Sequence, residues 1–241
     1  MPIMRAILFD KDGTLLDFNR TWLPRYRAAV DWVAARSEGR FDPDQLLALG
    51  GYIPEHDTWQ ADSLLAAGSN QQILSSWESL LDVEFTAVER QRIADCFAPG
   101  DAGYVPVVEP LRPALEALHA QGYVLGIATM DDESQAETTA KGLGIRDLFQ
   151  FVCGADSGHG VKPEPGMLHA FAYDAGVDPA EVVMVGDSPR DIHMGINAGA
   201  GMSVGVLTGA HDAKELARHT THVLPDITLL SQYLQTHSQN H

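Results

Sequence analysis

The alternation of short apolar runs with helix-length segments constrains the fold more than any other feature of this chain. The apolar runs have the length of buried strands and are Met4–Phe9, Tyr123–Ala128, Phe149–Cys153, Val182–Val185 and Met202–Leu207. The helix-length segments have apolar residues at three and four spacing and are Leu111–Gln121, Glu133–Leu143, Pro165–Ala175 and Arg190–Ala198. Strand then helix, repeated, predicts an α/β fold with a Rossmann-like parallel sheet covered on both faces.

One long interval interrupts this alternation between the first and second strands. Most of Leu15–Ala98 has an amphipathic helical pattern, with predicted helices at Thr21–Ala35, Pro43–Leu49, Gln60–Ala67, Gln71–Leu81 and Thr86–Phe97. We therefore expect two domains: residues 1–14 and 101–241 form the α/β core, and residues 15–100 form an inserted helical cap. An alternative in which these helices belong to the core stays open at this stage.

The composition of the chain limits which classes of partner it can bind. The formal net charge of −17 makes nucleic acid and anionic membranes unfavourable partners. The sequence has no apolar run long enough for a membrane span, and its start does not resemble a secretory signal, so we expect a cytoplasmic protein. The same charge repels phosphorylated ligands, so any anion site must be built locally from a metal ion, basic side chains or backbone N–H groups.

Carboxylates follow two of the predicted strands. Asp10 and Asp12 follow the first strand and precede Gly13, while Asp187 follows the fourth strand and Asp191 lies four residues later. The carboxyl ends of parallel strands meet at one edge of the sheet, where α/β folds bind ligands. Converging carboxylates repel one another unless a cation lies among them, and oxygen ligands suit Mg²⁺. Asp191 is also explained by helix capping, since it follows Ser188-Pro189 at a predicted helix start.

Two further positions have side chains that suit a phosphate site. Thr129 ends the second strand, where its hydroxyl and the next backbone N–H, that of Met130, could hold a phosphate oxygen. Lys162 lies just before a helix, where it could neutralise phosphate oxygens and keep a nearby carboxylate ionised. Taken singly, each has an ordinary explanation as a strand cap or a surface charge.

In this order, the motifs resemble those of the haloacid dehalogenase superfamily of hydrolases. The matching segments are Asp10-Lys11-Asp12-Gly13-Thr14, Thr129, Lys162 and Gly186-Asp187-Ser188-Pro189-Arg190-Asp191. The insert between the first two motifs is similar to that of members with a small helical cap, and the phosphoglycolate phosphatase-like branch is the nearest in appearance.

The resemblance implies a role for each matching residue. Asp10 would be the nucleophile that forms an aspartyl-phosphate, and Asp12 the general acid and base. Mg²⁺ would be held by Asp10, by the Asp12 carbonyl and by Asp187, with Asp191 supporting it or positioning Lys162. The phosphoryl group would be bound by Thr129, Met130 and Lys162. The implied activity is the hydrolysis of a small phosphomonoester, such as phosphoglycolate, a sugar phosphate or a nucleotide.

Two residues depart from the superfamily pattern. Lys11 replaces the aromatic or apolar residue often found between the paired aspartates, and we expect it to point away from the metal because neighbours on an extended segment face opposite sides. Met130 replaces an asparagine that often follows the threonine, which leaves the backbone N–H in place.

Alternatives to a phosphatase stay open. A β-phosphoglucomutase-like phosphosugar mutase would keep the same core motifs, and a non-catalytic binding protein could use the same fold. The cap should select the substrate, and its candidate contacts are His56, Arg20 and Arg25. The expected partner is a small phosphorylated metabolite, and the protein is expected to be a monomer or a homodimer.

Overall fold

The computed structural model describes residues 3–60, 63–68, 70–97 and 103–238. Its strands are β1 (Ala6–Phe9), β2 (Tyr52–Ile53), β3 (Thr58–Trp59), β4 (Val124–Ala128), β5 (Phe151–Cys153), β6 (Val182–Gly186), β7 (Met202–Val206) and β8 (His222–Leu224). Its α-helices are α1 (Phe18–Arg36), α2 (Pro43–Leu49), α3 (Leu64–Ala67), α4 (Asn70–Leu81), α5 (Ala87–Phe97), α6 (Leu111–Ala120), α7 (Glu133–Gly142), α8 (Gly166–Ala175), α9 (Pro189–Ala198), α10 (Ala213–Leu216) and α11 (Leu230–Ser238).

The chain divides into two compact units. One contains Met1–Asp17 and Tyr104–His241, and the other, here called the inserted unit, contains Phe18–Gly103. These boundaries lie three residues beyond each of those expected from the sequence.

The first unit is built on a parallel sheet with strand order β5-β4-β1-β6-β7-β8. Strand β1 lies between β4 and β6, with Phe9 opposite both Ile127 and Val185. The first strand of the chain is therefore interior to the sheet, and its carboxyl end is flanked by those of two neighbours. The predicted α/β fold with a parallel sheet is confirmed.

Both faces of the sheet are covered, which explains why its strands are apolar throughout rather than alternating. Ile7 and Phe9 pack on one face with Leu115 and Leu118 of α6. Leu8 packs on the other face with a cluster that includes Phe171 of α8. Helices therefore sandwich the sheet and leave its strand ends as the place where polar side chains gather.

The inserted unit is mostly helical and has an aromatic interior. Tyr26 of α1 contacts Trp22, Trp59 and Phe97, with ring centroids between 5.5 and 6.2 Å apart. Strands β2 and β3 form an antiparallel hairpin in which Tyr52 pairs with Trp59. No helix in the described part of either unit has the length and apolar character needed to cross a membrane.

The structure corrects one predicted element of the inserted unit. A helix was expected over Gln60–Ala67, but helix α3 begins only at Leu64, after Ser63 in an extended conformation. Residues 61 and 62 lie outside the described residues. Trp59, just before the predicted helix, ends the hairpin strand β3, and its ring contacts Tyr26 in the unit's aromatic interior.

Candidate active site

The two strand ends that carry aspartates are neighbours. Asp10 follows β1 directly, and its backbone N–H donates a hydrogen bond to the carbonyl of Val185 at 2.8 Å. Asp187 follows the last residue of β6. Parallel pairing of these strands brings both carboxylates to one edge of the sheet, as the sequence predicts.

Two glycines make room for the Asp187 side chain. Gly13 has a φ of +80°, and a Cβ atom there would lie 2.8 Å from Asp187 Cγ. A Cβ atom on Gly209, in the loop after β7, would lie 1.7 Å from Asp187 Oδ2. The hydroxyl of Thr208 donates a hydrogen bond to the carbonyl of Gly13 at 2.5 Å, which ties these two loops together. Sequence pattern alone does not indicate Gly209, because its role depends on a contact across the sheet edge.

Asp191 both caps helix α9 and contacts the site. The Ser188 hydroxyl accepts from the Asp191 N–H, while Asp191 Oδ2 accepts from the Ser188 N–H and hydroxyl at 3.1 and 2.6 Å. This reciprocal cap fixes the carboxylate orientation. The second oxygen, Oδ1, accepts a hydrogen bond from Lys162 Nζ at 2.6 Å. Capping and a role in the site are thus compatible.

Lys162 connects two of the carboxylates. Its Nζ lies 2.5 Å from Asp10 Oδ1 and 2.6 Å from Asp191 Oδ1, and its side chain is only 2% exposed. Burial by itself would lower the pKa of Lys162, but the charges of Asp10 and Asp191 raise it above its usual value. The lysine therefore stays cationic beside Asp10 and compensates part of the acidic charge.

Three buried carboxylates form a cluster that fits a cation. One oxygen from each of Asp10, Asp187 and Asp191 can be chosen so that all lie within 4.8 Å of one another. Burial raises the pKa of Asp10 to about 7. Burial also raises the pKa of Asp187 well above its usual range, and the negative charges of Asp10 and Asp191 add to this effect. Carboxylates that resist ionisation alone are stabilised as anions by a divalent cation, and an all-oxygen donor set suits Mg²⁺.

The end of β4 supplies the predicted phosphate-binding residues. Thr129 is buried, its N–H donates to the Cys153 carbonyl at 3.0 Å, and its hydroxyl accepts from the Asp131 N–H at 3.2 Å. The Met130 N–H makes no hydrogen bond to any residue that the structure describes. Because β4 is the neighbour of β1 on the side away from β6, these groups lie at the same edge as Asp10.

Lys11 makes contacts that were not expected. Its Nζ lies 2.6 Å from Asp12 Oδ2 and 2.7 Å from Asp131 Oδ2, with its side chain 2% exposed. Burial would lower the pKa of Lys11, but these two carboxylates raise it above its usual value. Lys11 therefore turns toward the predicted general acid, not simply away from the site. A search for a carboxylate on the neighbouring strand end could have found Asp131.

The three candidate residues of the inserted unit have different environments. Arg25 is buried, donates from Nη2 to the Gly103 carbonyl at 2.9 Å, and lies over the Trp22 ring at 4.9 Å. These contacts support the fold of the unit itself. Arg20 on α1 and His56 in the turn between β2 and β3 are exposed. Contact of any of the three with substrate stays a prediction.

The parallel α/β sheet, the acidic cluster at its carboxyl edge and the buried lysine are the features that the resemblance to the haloacid dehalogenase superfamily implies. A family model for haloacid dehalogenase-like hydrolases matches residues 4–199. The chain belongs to this family, which confirms the resemblance seen in the sequence.

Curated relatives of the chain are named phosphatases. A phosphoglycolate phosphatase from Vibrio vulnificus is 30% identical over 196 residues, which cover 81% of each chain. An N-acetylmuramic acid 6-phosphate phosphatase from Pseudomonas aeruginosa is 25% identical over 196 residues, covering 81% of this chain and 79% of that protein. The expected enzyme class, a phosphatase of the haloacid dehalogenase type, is confirmed by these matches.

Solved structures show the same fold across the whole chain. A predicted phosphoglycolate phosphatase from Haemophilus somnus superposes with a TM-score of 0.68 and 22% identity, covering 97% of this chain and 99% of that one. A protein from Thermotoga maritima, provisionally assigned as a β-phosphoglucomutase, has a TM-score of 0.67 and 20% identity over the same shares. At these identities the likeness concerns the fold alone.

Proposed function

We propose that the protein hydrolyses a small phosphomonoester with Mg²⁺, through an aspartyl-phosphate formed on Asp10. The observation that carries the proposal is the contact of Lys162 Nζ with both Asp10 and Asp191 beside the acidic cluster. The contact orients the carboxylate nucleophile and places a positive charge beside it, next to ligands for a cation.

Asp10, Asp187 and Asp191 would hold the metal, together with the backbone carbonyl of Asp12. The bound cation would supply charge neutralisation between the carboxylate nucleophile and the phosphate oxygens. Lys162 lowers the pKa of Asp10 against the effect of burial, which favours the anion, and fixes the direction of one of its oxygens. The Thr129 hydroxyl and the Met130 N–H would bind the transferring phosphoryl group.

The reaction would proceed by two displacements. In the first, an Asp10 oxygen forms a bond to phosphorus while the bond from phosphorus to the ester oxygen breaks, and Asp12 gives its proton to the departing alkoxide. In the second, Asp12 takes a proton from water, the water oxygen bonds to phosphorus, and the Asp10 carboxylate leaves. Asp12 is 24% exposed at its side chain, so solvent reaches it.

The proposed substrate is a small phosphorylated metabolite. Phosphoglycolate, sugar phosphates and nucleotides are the candidates, and relatives named for phosphoglycolate and for N-acetylmuramic acid 6-phosphate support a small anionic phosphoester. A cytoplasmic location and a monomeric or dimeric state stay predictions.

The proposal is tested by phosphate release from a panel of these esters, with Mg²⁺ or with EDTA. We expect release only with Mg²⁺, and its loss in Asp10→Asn. The matched control is Asp174→Asn, which changes an exposed aspartate on α8 and should keep wild-type turnover. Conversion of one sugar phosphate to another without release would favour a mutase. No turnover and no aspartyl-phosphate would favour a binding protein.

A further inference from the structure

Two of the four lysines in this chain are buried at the strand ends, and the proposed mechanism uses only one of them. The four are Lys11, Lys141, Lys162 and Lys214. Lys162 contacts the nucleophile, whereas Lys11 contacts Asp12 and Asp131 at 2.6 and 2.7 Å. In a chain with a net charge of −17, the placement of a scarce ammonium group away from solvent calls for an explanation.

Stability alone is a weak explanation. Removing the Lys11 ammonium group from water costs free energy, and its attraction to Asp12 and Asp131, whose side chains stay 24% and 36% exposed, recovers only part of that cost. An apolar residue of similar volume is often as stable. Such a pair also restricts the geometry of the groups that it joins. Lys11 holds one oxygen of Asp12, which fixes the plane of that carboxylate and the direction of its other oxygen.

The same contact joins two loops of the site. Asp12 lies on the turn after β1, and Asp131 lies two residues beyond Thr129 on the loop after β4. The Asp131 N–H also donates to the Thr129 hydroxyl at 3.2 Å. Lys11 therefore ties the proposed general acid to the loop that would bind the phosphoryl group.

We infer that Lys11 and Asp131 form a clamp that holds the Asp12 carboxylate where it donates its proton to the leaving alkoxide. Lys11 is thus a positioning residue and not a catalytic one, because it acts through Asp12. This inference rests on the proposed phosphatase function and adds to it a reason for the lysine between the paired aspartates.

The test compares Lys11→Leu with the wild type on esters whose leaving groups range from nitrophenols to simple alkyl alcohols. The measured quantity is kcat/KM, which includes departure of the leaving group but not hydrolysis of the aspartyl-phosphate. A nitrophenolate departs without a proton, while an alkoxide needs one. We expect kcat/KM to fall roughly 10- to 100-fold for alkyl esters and less than about threefold for nitrophenyl esters.

Three variants keep the test interpretable. Asp12→Asn should show the same selectivity for alkyl esters with a larger loss. Asp131→Asn keeps a hydrogen-bond acceptor for Lys11 but removes the negative charge. It should therefore show a smaller selective loss of kcat/KM for alkyl esters, and it replaces Lys11→Leu in the test if that variant does not fold. Lys141→Leu changes an exposed lysine paired only loosely with Glu137, at 3.5 Å, and should match the wild type. Thermal unfolding of each variant reports its folding.

An equal loss for alkyl and nitrophenyl esters in folded Lys11→Leu and Asp131→Asn would overturn the clamp, since it would indicate a general structural role. An unchanged kcat/KM for alkyl esters would overturn it too. Failure of the proposed function gives a different result: the wild type would release no phosphate from any ester, or Asp10→Asn would retain the wild-type rate. Either result would also overturn the clamp.

Discussion

Lys162 Nζ lies 2.5 Å from Asp10 Oδ1, so a buried cation in direct contact with the proposed nucleophile is supplied by a loop 152 residues further along the chain. Replacement by Met should lower kcat for phosphate release by at least about 100-fold, because the ionised nucleophile and the phosphoryl oxygens both lose a charge partner. Steady-state kinetics with saturating Mg²⁺ measure this. Lys141→Met is the control, and equal activity of the two variants would contradict the role of Lys162.

Gly209→Ala should weaken metal binding. Its Cβ would lie 1.7 Å from Asp187 Oδ2, so the carboxylate must move from its place in the acidic cluster. We expect an Mg²⁺ dissociation constant raised about 10-fold or more, measured by calorimetric titration. Gly144→Ala is the control: it has a φ of +67° and open space, so it should lose about 1 kcal/mol of stability and keep its metal affinity. Unaltered binding in Gly209→Ala would show that the loop after β7 is not part of the site.

Ser188→Ala should affect stability and metal binding together. Loss of the reciprocal cap costs about 1 kcal/mol of unfolding free energy and releases the Asp191 carboxylate from its fixed orientation. Asp42→Ala removes a similar capping box from α2, in the inserted unit, and should cost comparable stability without changing the Mg²⁺ affinity. Chemical denaturation and metal titration on both variants separate the two effects. An Mg²⁺ affinity of Ser188→Ala equal to that of the wild type would mean that Asp191 acts only as a cap.

The contribution of Asp10 to the stability of the metal-free protein should fall as pH rises toward neutrality. Burial raises the pKa of Asp10 from 3.8 to about 7, so the folded state binds more protons than the unfolded state in this interval. The contribution of Asp10 to stability is therefore fully present below pH 3.8 and is lost as pH rises through about 7. Denaturation in EDTA between these limits measures the slope, with Asp10→Asn as the variant that should flatten it. Equal slopes would contradict the prediction.

At pH 8, Mg²⁺ should restore the stability that the metal-free protein loses as Asp10 ionises. A cation bound only by the folded state adds about 2.7 kcal/mol when its concentration is 100 times its dissociation constant. The increase in melting temperature should disappear in Asp187→Asn, which removes a ligand of the cluster. Ca²⁺ at the same concentration tests whether charge alone is sufficient. An identical shift in wild type and Asp187→Asn would place the cation elsewhere.

The strand ends could be predicted from the sequence because apolar runs and parallel pairing fix where they meet. Asp10, Asp187 and Asp191 converge for that reason. The hairpin of β2 and β3 could not be predicted, because two-residue strands have no periodicity of their own and depend on the packing of Trp59. The contact of Lys11 with Asp131 joins residues 120 positions apart, and the contact of Gly209 with Asp187 joins the loops that follow two different strands. Local sequence pattern carries no information about either contact.

The position of β1 inside the sheet has a consequence for synthesis on the ribosome. Both strands that pair with β1 are made more than a hundred residues later, Val124–Ala128 first and Val182–Gly186 well after it. Asp10 therefore emerges from the ribosome long before the carboxylates and the lysine that surround it. The nascent chain must keep an apolar strand unpaired while the inserted unit is translated, which favours slow, late closure of the sheet and makes this segment a natural target for chaperones.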